Sequence, residues 1–482
     1  MSDEYKFPDD PAFELARGIR ERASSPEPHE RAWKGATGSS TPEQLGQAAY
    51  RIVAKLQQQG HTAFLAGGCV RDKMLHRAPK DYDIATNARP RQIRQLFDSA
   101  GYVGAHFGVV LVREPEGVFE IATFRTDGIY LDGRHPRDVR YSDAEGDSQR
   151  RDFTINGLFF NPTTNELIDY VGGCEDLQSQ VIRAIGDPSE RFMEDHLRLM
   201  RAVRFAEVLN FEIEPMTLAA IKTAAHSIRQ ISVERIRDEL IQILEHPNRI
   251  RGFDLLVGTG LLSEILPEVA DLMGCQQPPE FHPEGDVFVH TRMMLGLLED
   301  DAPLPLILSV LFHDIAKPAT YSYDEAAGRI RFNGHAEKGA EMTTRILKRF
   351  RFSNEVIDAT VEAVANHMKF KDVQKMRVST LKRFMASPTF DQQLELHRVD
   401  SLGSNGNLEN YQFVCQKLEE FGNEPLIPPR LLSGQDLMAM GLEAGPRIGE
   451  VLEALQTAQL EGQLTTREDA LQWLGKEYGL AS

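Results

Sequence analysis

Asp81 and Asp83, in the run Lys80-Asp81-Tyr82-Asp83-Ile84, are the residues whose types and spacing most constrain the chemistry of this chain. On a strand, alternate residues share a face, so both carboxylates point the same way. They repel each other unless a cation sits between them. A hard divalent ion that also contacts phosphates is the usual partner. Just upstream stands Leu65-Ala66-Gly67-Gly68-Cys69-Val70-Arg71-Asp72. Ala63 to Ala66 reads as a buried strand, Gly67 and Gly68 end it, and Val70 to Leu75 reads as the first turns of a helix. Such a turn gathers backbone N–H groups and a helix dipole at one point, which suits a phosphate. Arg71 adds a fixed positive fork there. A phosphate cradle beside a carboxylate pair serves many phosphotransferases, so the rest of the chain must narrow the choice.

Further groups follow. Arg150-Arg151-Asp152-Phe153-Thr154-Ile155-Asn156 reads either as an ordinary helix start or as a nucleotide contact, with Arg151 on a triphosphate and Asp152 or Asn156 orienting a sugar or strand end. Asp187 to Phe205 reads as one helix, in which Asp195, Arg198, Arg201 and Arg204 recur every third residue. That spacing keeps them on one slowly rotating face. One reading is a set of salt bridges, Glu194 to Arg198 and Asp195 to Arg198. The other is a base reader: a carboxylate accepts from an exocyclic amine while a guanidinium donates to a ring nitrogen or carbonyl. Later come His290, His313-Asp314, His335, His367 and Asp400, in a chain with 14 His. Imidazoles and carboxylates in that order suit a divalent ion and phosphoester hydrolysis.

These groups need several domains to hold them, and 482 residues are too many for one core. No long apolar run or apolar N-terminal segment is present, which argues against a membrane span or secretory signal. The 4 Cys are scattered without metal-ligand spacing and read as reduced thiols of a cytoplasmic protein. A net charge of −18 counts against a nucleic-acid binder unless positive charge is concentrated locally. Arg71, Arg150, Arg151, Arg198, Arg201 and Arg204 are the candidates for that concentration.

Residues 1–42 read as a flexible N-terminal tail. Thr41-Pro42-Glu43-Gln44 predicts a capped helix start. Strands with few helices between them predict a small mixed sheet, with Glu120 on Val118 to Arg125 either facing water at an edge or joining the carboxylates. Thr126 to Asp147 is a long polar loop. Ser232 is read as the N-cap of a helix in which Glu234, Arg235 and Glu239 form structural ion pairs. Gln276 to Asp286 reads as a linker, and the end of the chain reads as helical.

The series GGCVRD, DYD, RRDFTIN, EDHLRLMRAVRF and SVERIRDEL resembles class II transfer-RNA CCA-adding nucleotidyltransferases and bacterial poly(A) polymerases, and LFHDIAKP is similar to the signature of HD-domain phosphohydrolases. The resemblance covers roughly residues 45 to 480. It implies an α+β fold: a small mixed-sheet nucleotidyltransferase head like that of DNA polymerase beta, then mostly α-helical parts. The implied divisions are a head at 43–185, a helical neck with the base-reading helix at 186–275, an HD metal-binding domain at 276–405 and an RNA-binding tail at 406–482. It implies Mg²⁺ on Asp81 and Asp83, with Glu120 as a third carboxylate. Gly67, Gly68, Arg71, Arg151, Asp152, Asn156, Arg201 and Arg204 would bind nucleotide, and Asp195 with Arg198 would read the base. His290, His313, Asp314, His335, His367 and Asp400 would hold a second divalent metal, such as Mg²⁺, Mn²⁺ or Ni²⁺.

The implied reaction adds CMP and/or AMP from CTP and ATP to the 3′ end of transfer RNA, releasing pyrophosphate, with no membrane partner and a monomer or homodimer as the active form. A poly(A) polymerase acting on other RNA ends is the first alternative, although such enzymes usually carry a basic C-terminal region that this acidic chain lacks. A protein acting chiefly as an HD phosphohydrolase, and a non-enzymatic RNA-binding scaffold, are the others.

Overall fold

The structure is a computed structural model and describes residues 40–102, 108–127, 139–280, 282–422 and 425–480. Of the expected N-terminal tail, 1–42, residues 1–39 lie outside them, and Pro42 already begins a helix. Residues 128–138, the middle of the expected polar loop, lie outside them as well. The chain divides into two compact units between Ala270 and Asp271.

The first unit opens with α1 (Pro42–Gln58), capped by Thr41 through the capping box that the sequence predicts. Next come β1 (Ala63–Ala66), α2 (Gly68–Met74), β2 (Asp83–Thr86), α3 (Pro90–Leu96), β3 (Gly101–Tyr102), β4 (Val109–Glu114) and β5 (Gly117–Thr123). Then follow β6 (Arg125–Asp127), β7 (Val139–Tyr141), α4 (Ala144–Gln149), β8 (Phe159–Asn161) and β9 (Glu166–Ile168). Seven strands form one mixed sheet in the order β3-β4-β5-β2-β1-β8-β9. The β2–β5 pair is parallel; β1 lies antiparallel to β2 and to β8. All four residues of β1 are buried. Phe64, Phe124 and Phe159 pack together under the sheet, with ring centroids about 6 Å apart. Buried aromatics of this size each contribute about 1.5–3 kcal/mol, so this cluster is what fixes the strands that carry the carboxylates.

The helical part of this unit contains α5 (Gly173–Ser179), β10 (Val181–Ile182), α6 (Pro188–Glu194), α7 (Arg198–Leu209), β11 (Glu212–Ile213), α8 (Pro215–Ala224), α9 (Val233–Leu244), α10 (Arg249–Gly258), α11 (Leu261–Ile265) and α12 (Pro267–Ala270). The helix expected over 187–205 is broken. Asp195 leaves α6 in extended geometry, and α7 starts afresh at Arg198. The break has a local cause: the Asp195 side chain accepts from the Leu197 N–H, and His196 Nδ1 donates to the Phe192 carbonyl. Short side chains that bond nearby backbone compete in this way with helix propagation. Leu197, Met200 and Phe205 are buried, as their spacing predicts.

The second unit is helical apart from one hairpin. It contains α13 (Val287–Leu297), α14 (Leu304–Phe312), α15 (Lys317–Thr320), β12 (Ser322–Asp324), β13 (Arg329–Arg331), α16 (His335–Arg349), α17 (Asn354–Asn366), α18 (Val378–Met385), α19 (Phe390–Gly403), α20 (Glu409–Phe421), α21 (Gly434–Ala439), α22 (Pro446–Leu460) and α23 (Arg467–Tyr478). Ser433 and Thr466 close capping boxes on α21 and α23. Among the described residues no helix is long and apolar enough to cross a membrane.

Candidate active site

The carboxylates gather where the start of β2 pairs with the middle of β5. Strand β2 begins at Asp83, so Asp81 stands just before it and not on it. Asp83 lies opposite Glu120 in the parallel register and opposite Ala66 of β1. Glu120 is exposed, but its strand is interior, between β4 and β2, so the edge-strand reading fails. Burial, together with the charges of Asp81 and Glu120, raises the Asp83 carboxyl from its ordinary value to about 6, while Arg151 pulls the other way. A carboxylate that costs this much to ionise beside two others fits a hard divalent cation with oxygen ligands.

The glycine turn sits against this group. Gly67 has φ +72°, which admits glycine at no steric cost. A Cβ on it would lie 2.9 Å from Arg151 Nη1 and 3.8 Å from Asp83 Oδ2. Arg71 Nη1 donates to Asn156 Oδ1 at 2.8 Å. Asn156 Nδ2 donates to Asp152 Oδ1 at 3.0 Å, and Asp152 Oδ2 accepts from Arg201 Nη2 at 2.6 Å. Arg204 Nε donates to Glu239 at 2.6 Å, and Arg201 stands 3.8 Å from the same carboxylate. The guanidinium groups of Arg71, Arg201 and Arg204 all lie within 5.2 Å of the Phe205 ring centroid. One hydrogen-bonded chain thus runs from the glycine turn to α7. Arg201 holds the Asp152 carboxyl, despite its burial, well below the usual carboxylate range.

Arg150 and Arg151 do not start a helix. They follow α4, and Asp147 within it binds both guanidiniums, at 2.7 and 2.9 Å. The i,i+3 and i,i+4 spacing of Asp147 to these arginines was legible in the sequence and points to this pairing.

The expected Asp195–Arg198 side-chain pair is not formed. Arg198 Nη1 donates to Glu194 at 2.6 Å and to the Arg191 carbonyl, and Nη2 donates to the Arg150 carbonyl. Asp195 instead accepts from Arg235 Nη2 at 2.8 Å. The helix break explains this, because it turns Asp195 away from the face that Arg198 occupies. Arg235 and Glu239 lie far along the chain from their partners, and no local spacing signals them. Ser232 occupies the N-cap position of α9 without a side-chain cap bond. The six arginines expected to supply free positive charge each have an acidic partner: Asp72, Asp147 (twice), Glu194, Asp152 and Glu239.

In the second unit the predicted cluster is brought together. His290, His313 and Asp400 form one group able to hold a cation; Asp314, His335 and His367 form another. His313, His335 and His367 each place Nδ1 on a backbone carbonyl, of Val310 (2.9 Å), Phe332 (2.7 Å) and Val364 (2.6 Å). A carbonyl can only accept, so Nδ1 carries the proton and Nε2 presents a lone pair inward. His335 Nε2 and His367 Nε2 then face each other at 3.1 Å, and buried His313 Nε2 lies 3.0 Å from Asp314 Oδ2. Lone pairs converging on Asp314 and Asp400 fit divalent transition ions or Mg²⁺. Burial, against the pull of Asp314, depresses the His367 ring to about 4, which keeps it neutral at physiological pH.

The stretch expected to be a linker, Gln276 to Asp286, is a wall of this centre. It delivers Gln277, whose Oε1 accepts from buried Lys317 Nζ at 2.6 Å, and also His282 and Glu284. The signal for the last two was a carboxylate and a histidine just upstream of the His290 helix.

Comparison with known proteins bears on both units. Residues 63–183 match the poly A polymerase head domain, 210–273 the probable RNA- and SrmB-binding site of polymerase A, and 287–397 the HD domain. The fold and the first site therefore define a nucleotidyltransferase with a poly(A)-polymerase-type head, followed by helical parts. The CCA-adding enzyme of Levilactobacillus brevis is 32% identical over 434 residues, 89% of this chain and 97% of that protein. That of Streptococcus gordonii is 30% identical, over 88% and 96%. The crystal structure of the Bacillus stearothermophilus CCA-adding enzyme in complex with CTP is similar with a TM-score of 0.67 at 25% identity, covering 89% of this chain and 95% of that one. The chain belongs to the CCA-adding enzyme family.

Proposed function

We infer that this chain adds C and A residues to the 3′ end of transfer RNA from CTP and ATP, without a nucleic-acid template, in the cytoplasm. The observation that carries the reading is Asp83 opposite Glu120, with Arg151 packed where a side chain on Gly67 would stand, in a chain whose full-length relatives are CCA-adding enzymes. Asp81 and Asp83 would hold Mg²⁺, with Glu120 alongside. When bound, the ion would lower the cost of deprotonating the RNA 3′-hydroxyl and offset charge on the transferred phosphate. Gly67 lets the backbone approach the triphosphate, and Arg71 and Arg151 flank it. Asn156 and Asp152 tie that cradle to Arg201, so triphosphate and base are gripped by one connected frame. Asp195 and Arg198 present an acceptor and donors to the base edge, each held by a second residue.

The test offers CTP and ATP, separately and together, to transfer RNAs ending before C, after C, after CC and after CCA. Completion of CCA and arrest there is the expected result. Continued AMP addition beyond CCA would identify a poly(A) polymerase. Asp81→Ala is expected to abolish incorporation while leaving transfer-RNA binding largely intact; full activity in that variant overturns the site assignment.

A second activity is favoured by the converging Nε2 atoms of the HD cluster. His290, His313, Asp314, His335, His367 and Asp400 would hold divalent cations that support phosphoester hydrolysis. The test is hydrolysis of 2′,3′-cyclic and 3′-phosphate substrates with Mg²⁺, Mn²⁺ or Ni²⁺. It is expected to be lost in His313→Ala, and no hydrolysis with any of these metals overturns it.

A further inference from the structure

Three of the four imidazoles in the HD cluster rest Nδ1 on a backbone carbonyl, at 2.6–2.9 Å. His290 is different. Its nearest carbonyl, Gly403 O, is 3.2 Å from Nδ1, whereas Glu284 Oε1 is 2.7 Å away. The same Oε1 lies 2.8 Å from His282 Nδ1. Glu284 Oε2 is buried and has no hydrogen-bond partner among the described residues. On the opposite side of the His290 ring, Nε2 lies 3.0 Å from Asp400 Oδ1.

The chain is built to put Glu284 there. Asp286 caps α13, accepting from Val289 N at 2.9 Å, and its other oxygen accepts from Gly274 N at 2.6 Å. Between them Gly285 takes φ +129°, a conformation L side chains rarely adopt. This turn folds Glu284 back over the first turns of the helix that carries His290.

We propose that Glu284 is the positioning carboxylate of the HD centre, holding His290 through Nδ1 so that Nε2 faces Asp400 and His313. The proposal rests on the reading that this centre takes a divalent cation. A ligating histidine whose other nitrogen is held by a carboxylate is fixed in orientation and is a stronger donor. Glu284 approaches the ring edge remote from the cation group formed with His313 and Asp400, so it acts through His290. Among the described residues the other three rings rest Nδ1 on a backbone carbonyl alone, whereas His290 has this carboxylate at 2.7 Å and the Gly403 carbonyl at 3.2 Å, and substitution removes the nearer of the two.

The experiment titrates the metal-stripped full-length chain with Co²⁺, following heat and the visible absorption bands, for wild type, Glu284→Ala, Glu284→Gln and the control His313→Ala. The expected result is a 10- to 100-fold weaker affinity in Glu284→Ala, of the size that loss of such a partner causes. The bands at saturation should keep their positions, and Glu284→Gln, which keeps an acceptor oxygen, should recover most of the loss. Wild-type affinity in Glu284→Ala overturns the proposal alone; altered bands at saturation also overturn it, because Glu284 would then be a ligand. Absence of any His313-dependent Co²⁺ binding in wild type overturns the cation reading and the proposal together. Nitrogen-15 shifts of labelled histidine in the Zn²⁺-loaded wild-type chain decide the matter without a variant. His290 is expected to keep its proton on Nδ1, and zinc on Nδ1 overturns the proposal.

Discussion

Asp195 accepts from Arg235 at 2.8 Å, across forty residues of sequence, and this bond is what aims the carboxylate that would read the base. Arg198, its expected partner, is held by Glu194 and two carbonyls. Acceptor and donor are thus positioned independently, so either can be disturbed without the other. Arg235→Ala is expected to leave the Asp195 carboxylate held by the Leu197 N–H alone and to lower the discrimination between CTP and ATP about tenfold. That is the scale of one hydrogen bond to a charged group, about 1.5 kcal/mol. Single-turnover incorporation with each nucleotide on transfer RNA ending in CC measures it. Unchanged discrimination shows that Asp195 needs no brace.

Gly67→Ala tests the phosphate cradle. The added methyl would meet Arg151 Nη1 at 2.9 Å on a backbone with φ +72°. Arg151 must then give way, although Asp147 holds it. The expected effect is a rise of roughly tenfold or more in KM for both nucleotides, with transfer-RNA affinity kept, since a misplaced positioning group costs about that much. An equal rise for CTP and ATP is required, because the triphosphate is common to both; a rise for one alone counts against the cradle.

Much of this was legible in the sequence because it depends on local spacing. The strand, glycine turn and helix around Gly67 and the capping box at Thr41 follow from neighbours along the chain. What the sequence hid was long-range or competitive. Arg235 and Glu239 reach their partners only after folding. The break at Asp195 arises because side-chain bonds to backbone outcompete a helix that periodicity alone extends. Gln276 to Asp286 looked like a linker because proline, glycine and charge dominate it, yet one turn at Gly285 brings its carboxylate onto His290. The local positive charge was also overestimated, since composition cannot show that each of those arginines has an acidic neighbour.

Asp152 and Arg201 join the head sheet to α7 through an ion pair of 2.6 Å, with the carboxyl almost fully buried. Removing the carboxylate leaves a partly exposed Arg201 with Glu239 still 3.8 Å away, so the cost is that of a charge-assisted hydrogen bond, about 2 kcal/mol. Asp152→Ala is therefore expected to destabilise the first unit by about that amount and to release Arg201. Asp152→Asn, which keeps the bond to the Phe153 N–H, should lose less. Urea unfolding of the full chain, following the transition of the first unit, compares the two.

Glu207 on α7 provides a pH dependence. Its side chain is fully buried, neither oxygen has a hydrogen-bond partner among the described residues, and His246 Nδ1 stands 3.7 Å away. Burial raises its carboxyl from 4.5 to about 9, against the pull of Arg204, Arg249 and Arg251. The folded chain therefore keeps a proton that the unfolded chain has released. With more protons on the folded state, stability is greatest below the unfolded value and falls as pH rises from about 4.5 towards 9. Glu207→Gln has no proton to lose, so its stability relative to wild type should grow with pH by up to about 1.4 kcal/mol per unit. Urea midpoints of both proteins at pH 6, 7 and 8 give that difference directly. A constant difference across the series means that Glu207 is already ionised in the folded chain, with Arg204, Arg249 and Arg251 outweighing its burial.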